Sequence, residues 1–314
     1  MTMSNLNIRI LNIPATIIIS FLFFACSQKI FAASPGSLPL PIHAAEGVGG
    51  LWLTHSAYFV NPPVAGKIMG KPSMGAMYVN LGHEKYIDLF SMTQTIGNRV
   101  ELGYSCIRAH LGDLPQKIEQ ATGIDIRDHN AILHNFNGRF AILQEGHFGL
   151  SWIPAMTIGV HYKYNSEINN INDDLGGALE TIHLKDNDGW DFTIYTSKTI
   201  TCLPKIVFIS LGARSTKGAQ IGLIGFTDKR RIVAEGHVGI FLSKNFIAAV
   251  EYREKPDQFD DAPGLFKGED DWWALSVGYI INNNMTIGGG WGHFGDLLNH
   301  KANSSWGVAV KWEF

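Results

Sequence analysis

Charge is scarce in this chain: Asp, Glu, Lys and Arg make up 17% of 314 residues, against roughly a quarter in ordinary soluble domains. A charge-coated cytoplasmic enzyme is therefore disfavoured. Neither sign is in useful excess, with 25 Lys and Arg facing 28 Asp and Glu, so nothing is available to neutralise a phosphate backbone and no nucleic-acid partner is expected. Cysteine is nearly absent. Cys26, Cys106 and Cys202 follow no metal-ligand or redox spacing and are too few for a disulfide framework, and spacing leaves open whether Cys106 and Cys202 pair. Long hydrophobic runs are also missing: beyond residue 33 the longest is Phe246–Val250, five residues, against about 20 for a membrane helix. Catalytic signatures are lacking as well, since the 12 His form no His-x-His or His-Glu-x-x-His and there is no Gly-x-Ser-x-Gly. A weak combination survives in His237, two residues from Glu235, with Ser210 on the preceding strand. Same-face pairs of this kind arise on any polar wall, so the chain is read as non-enzymatic, with no cofactor and no metal.

What is present begins with an address. Residues 1–33 hold no acid; Arg9 precedes the apolar stretch Ile17–Ala25, and small residues follow at Ala32-Ala33-Ser34. This pattern predicts a signal peptide cut near Ala33. A lipoprotein site at Cys26 and an uncleaved anchor helix are the alternatives. Losing Arg9 and Lys29 with the leader leaves 23 basic against 28 acidic side chains, a net −5.

After the leader the chain alternates. Period-two segments recur at Met74–Leu81, Lys85–Gln94, Arg99–His110, His129–Leu143, Leu150–Lys163, Gly189–Leu203, Lys205–Ala213, Arg231–Ser243, Asn245–Lys255, Asp271–Ile281, Asn284–Phe294 and Ser304–Phe314. Their linkers alternate between tight and long over most of the chain, the long ones including 111–128, 164–188, 214–230, 256–270 and 295–303. Short turns on one rim and long loops on the other describe an outer-membrane barrel with its short turns toward the periplasm. The expected fold is an all-β, antiparallel up-and-down transmembrane barrel of about 12 strands over residues 74–314. Residues 34–73, whose Pro62–Pro72 stretch suits a non-strand path, are set apart as an N-terminal segment that could plug the lumen.

Three features separate this reading from a soluble β-protein. Leu150–Lys163 carries Trp152, Met156, Ile158, Val160 and Tyr162 on one face and small or polar residues on the other. Ten residues of tilted strand between Trp152 and Tyr162 match the spacing of two aromatic girdles, about 25 Å. The last strand alternates Trp306, Val308, Val310, Trp312 and Phe314 against polar or small residues, resembling the signal strand read by the barrel-assembly machinery. Several segments run 10–15 residues, long for soluble strands and right for membrane ones. With the apolar face on outer-membrane lipid, the lumen collects Glu101, His161, Lys163, Asp191, Glu235, His237, Glu251, Arg253 and Lys255. Such charges are expected to pair across the interior, lining either a narrow conduit for small polar solutes or a structural filling. Asp257–Asp271 reads as a solvated acidic loop, and Asn165–Asp174 as a polar loop running toward a short helix near Leu175–Leu184.

Four blocks add a resemblance. Pro154-Ala-Met-Thr-Ile-Gly-Val-His-Tyr-Lys163, Glu251-Tyr-Arg-Glu-Lys-Pro-Asp257, Glu269-Asp-Asp-Trp-Trp273 and Gly292-His-Phe-Gly-Asp296 resemble those of an uncharacterised proteobacterial family, domain-of-unknown-function family 3034. The likeness covers roughly residues 48–314, is loose from Met74 to Asn98, and departs in longer loops around 111–128 and 164–188. It implies an exported, outer-membrane barrel-like protein and transfers no catalytic residue. Hydrolase, surface receptor and scaffold remain the alternatives to a channel or structural barrel.

Overall fold

The computed structural model describes residues 43–127, 130–181, 183–255, 270–297 and 300–314. The expected leader, Cys26 and most of the acidic loop lie outside the described residues. Twelve strands form the wall: β1 (Ser73–Gly82), β2 (Lys85–Ile96), β3 (Val100–His110), β4 (Asn130–Leu143), β5 (Ala155–Asn165), β6 (Asp188–Ile200), β7 (Val207–Gly218), β8 (Phe226–Phe241), β9 (Phe246–Arg253), β10 (Trp272–Ile280), β11 (Met285–His293) and β12 (Ser305–Glu313). Each pairs antiparallel with the next. Pairing of β12 with β1, from Ser73 opposite Glu313 to Asn80 opposite Trp306, closes the cylinder and removes both edges.

The period-two pattern fixes which face meets what. Phe90, Leu102, Phe136, Phe140, Ile158, Val160, Phe192, Ile194, Leu275 and Val308 project outward and are exposed, whereas Ser105, Asn135, Asn137, Thr157, Thr193 and Ser276 project inward and are buried. This inversion of a soluble protein suits a lipid-facing wall. Ring contacts run around the outer face from Tyr104 through Phe136 and Tyr162 to Trp190.

Some boundaries differ from the sequence reading. β7 runs on past Ala213 to Gly218 and β8 starts at Phe226, so the expected long loop 214–230 shrinks to residues 219–225. Trp152 lies before β5, in a turn closed by Ile153 N–H to the Leu150 carbonyl (3.0 Å). It is half exposed, but the strand-length argument linking it to Tyr162 does not hold. Among the described residues, three α-helices sit at the long-loop rim: α1 (Leu114–Thr122), α2 (Ile168–Asp174) and α3 (Ala178–Thr181).

Residues 43–61 lie inside the cylinder. They enter at the short-turn rim, rise to a tip at Leu51–Thr54 and return, held by backbone bonds such as Ala45 N–H to Trp52 carbonyl (3.0 Å) and Ser56 N–H to Gly49 carbonyl (3.0 Å). The loop has no periodicity because it packs on all sides at once. It lies close against the wall at Gly103, where an added methyl group would stand 2.0 Å from the Gly47 carbonyl oxygen. Gly103→Ala is therefore expected to lift the inserted loop without changing any charge, seen as new chymotrypsin cleavage at Trp52 or Tyr58.

Candidate functional site

Inward alternation brings Lys163 on β5, Asp191 on β6, Arg214 on β7, Glu235 on β8 and Arg253 on β9 to one level of the lumen, all buried. Into their centre the inserted loop places Glu46, 2% exposed. One Glu46 oxygen meets the Lys163 ammonium and Arg214 Nη1 (3.2 Å); the other accepts from Arg214 Nη2 (2.6 Å), from His55 Nε2 (2.7 Å) and from Arg253 Nη2 (3.4 Å). Asp191 Oδ2 accepts from Lys163 (2.9 Å) and Arg214 (3.0 Å), and Glu235 bridges Arg214 Nε (3.1 Å) and Arg253 Nε (2.6 Å). Three acids balance three cations. The wall alone carries two acids against three cations, and the loop supplies the missing charge.

Two further carboxylates grip the loop by its backbone. Glu101 pairs with Arg139 (Nη2 to Oε1, 2.6 Å) and accepts from Gly49 N–H (3.0 Å) and Val60 N–H (2.7 Å), while Arg139 donates to the Ser56 and Tyr58 carbonyls. Glu251 accepts from three successive amides, Trp52 (2.9 Å), Leu53 (2.8 Å) and Thr54 (3.0 Å), and from Thr54 Oγ1 (3.0 Å). The tip of the loop is thus an amide nest around a wall carboxylate.

Burial and the Arg214 cation push the His55 imidazole well below its ordinary value, against the pull of Glu46. Burial and Lys311 push His43 down to about 3. For Glu46, burial alone would raise the carboxyl, but Arg214, Lys163 and Arg253 overcome it and hold it well below the usual range. All three groups bind fewer protons when docked than when free, so docking is full above about pH 6.5 and is lost on acidification. His43 acts from about pH 6.5 down to about 3, His55 likewise acts below about 6.5, and Glu46 adds its share below about 4.5. Trp52 fluorescence should report an increasingly solvated loop over this range; a loop that loosens on raising the pH instead would contradict the assignment.

Of the residues read from sequence, His161 bonds Asn137 (2.7 Å) and Thr193 (2.8 Å) beside the cluster. His237 Nδ1 meets Thr54 Oγ1 (2.7 Å), and Ser210 Oγ meets Ser197 Oγ (2.8 Å). The weak catalytic combination therefore has no nucleophile–base contact. Lys255 lies past the end of β9, its ammonium 5.3 Å from the centre of the Trp272 ring, and does not extend the inward row of Glu251 and Arg253 as its spacing of two predicts. Tyr162 packs against Phe136 and Trp190, and Trp306, Trp312 and Phe314 are about half exposed on the outer face. Cys106 is a free thiol, so it does not pair with Cys202. Sequence reasoning missed Arg139, Arg214 and Lys311 on the wall, and His43, Glu46 and His55 on the loop. Arg139 shares the inward face of Asn135 and Asn137 and was legible; Glu46 carried no local signal.

A family model described as a protein of unknown function (DUF3034) matches residues 66–311. Among solved structures the chain is similar to the KdgM porin (TM-score 0.46, 9% identity, covering 77% of this chain and 99% of that one). It is also similar to the NanC porin (0.45, 12%, 77% and 100%) and to the Salmonella typhi outer membrane phospholipase (0.37, 8%, 80% and 93%). Identities this low transfer no activity. No curated protein matches the chain.

Proposed function

Since this chain belongs to the DUF3034 family, whose description assigns no activity, we propose from its own geometry that it is an outer-membrane barrel held shut at rest by its N-terminal segment, a narrow gated channel for small polar solutes. Outer-face apolar residues and aromatic rims support the lipid setting, with the short-turn rim toward the periplasm. The observation that carries the reading is Glu46. A loop serving only as filling could be apolar; burying an ion costs several kcal/mol unless it is paired, so the loop and wall are matched by charge. The cluster is neutral only when the loop is in place, and without it the wall carries one uncompensated cation at that level of the lumen.

Planar-bilayer recordings test this. The full chain is expected to be almost silent, the chain lacking residues 43–61 to conduct steadily, and the added Arg253→Glu reversal to shift that conductance toward cations. Retention of the boiling-dependent gel shift checks that the shortened chain folds. A barrel silent both with and without the loop is structural or a receptor, and the channel reading then fails.

A further inference from the structure

The lumen is not polar throughout. On β1 to β3 the inward face is Ser73, Ser91, Thr93, Glu101 and Ser105 toward the short-turn rim but turns apolar toward the long-loop rim. There it encloses a cavity of about 450 Å³, lined by Met77, Val79, Leu89, Ile107, Leu223 and Phe294 among others. Trp52 and Leu53 at the tip of the inserted loop also line it, as does the connection 219–225, which folds inward and buries Ala219 and Gly222. Lys163 Nζ donates to the Ile221 carbonyl (3.0 Å) and Asn165 Nδ2 to that of Leu223 (2.8 Å), holding this connection in place. Ile221 sits at φ 60°, a conformation a β-branched residue adopts only when its surroundings force it.

We propose that this cavity binds a single-chain carboxylate amphiphile, a medium-chain fatty acid in chemical class. The volume falls in the range of small-molecule sites and excludes a macromolecule; the lining calls for hydrocarbon. Two lining residues, Trp52 and Trp272, are 5% and 7% exposed, and their indole Nε1 atoms have no hydrogen-bond partner among the described residues. A buried donor left unmet is costly, and a head-group oxygen would meet it. Lys85 and Lys117 both pair with Asp113 (2.5 Å each) on the lining of the same cavity, leaving one positive charge in excess to draw in an anion. The site needs the closed barrel and the docked loop but not the gating event, so binding and conductance can fail separately.

The test uses the full chain in lipid nanodiscs with dansyl-undecanoic acid as the probe. A saturable signal above empty discs is expected, displaced by dodecanoate at roughly tenfold or more lower concentration than by dodecylammonium, because a charged acceptor answers the indole donors. Ala109→Phe, which fills the cavity from β3, should abolish the signal while the boiling-dependent gel shift persists; Val79→Phe serves if that variant does not fold. Trp272→Phe should weaken dodecanoate roughly tenfold. Absence of a saturable signal, equal displacement by the ammonium, or binding unchanged in the folded filled variant would each overturn the proposal.

Discussion

Glu46→Gln is expected to free the inserted loop from the lumen. The substitution keeps the shape of the side chain but leaves Lys163, Arg214 and Arg253 facing only Asp191 and Glu235, one uncompensated cation inside the barrel. Breaking a buried ion network from one side costs about 3–5 kcal/mol, which lowers the docked-to-free ratio by roughly two to four orders of magnitude. The barrel itself is spared, because the ladder bonds of its twelve strands do not involve Glu46. The readout is chymotrypsin cleavage at Leu51, Trp52, Tyr58 or Phe59, sites enclosed by the wall when the loop is docked. Glu46→Lys should cleave faster still, and in bilayers both variants should conduct. A Gln variant as resistant as the parent would mean that the amide grip of Glu101 and Glu251 suffices, and that charge matching does not hold the seal.

The same contacts explain what was legible beforehand. Most strands were readable because lipid on one side and a polar lumen on the other impose a period of two. The expected β7 ends at Ala213, one residue before Arg214. In the barrel Arg214 points inward, where Glu46, Asp191 and Glu235 receive all of its nitrogens, so a charged residue ends no strand here. The apolar cavity escaped notice for a related reason. A face test assigns one apolar face to lipid, yet Met77, Val79, Ile87 and Leu89 point inward on strands whose other face carries Tyr78, Phe90 and Met92. Glu46 was invisible because its cationic partners on the wall lie 117 to 207 residues away, and nothing in residues 43–61 repeats.

Glu251→Ala should unlock the tip of the loop while leaving its base in place. Glu251 is fully buried, and the bonds it accepts come from Trp52, Leu53, Thr54 and Ser276. Alanine strands three consecutive amides in a space closed by protein, and each unmet donor costs about 1–3 kcal/mol. Removing a buried carboxylate returns part of that through its lost desolvation penalty, so the net effect is smaller than the sum. Glutamine keeps one accepting oxygen and should fall between alanine and the parent. Hydrogen exchange separates the two ends of the loop: protection at Leu53 and Thr54 should fall at least about a hundredfold in the alanine variant, while Gly49 and Val60, whose amides are held by Glu101, stay protected. Uniform loss over residues 43–61 would instead show that the loop docks as one cooperative unit. In that case the tip is not a separate latch, and opening the gate must displace the Glu46 network in the same step.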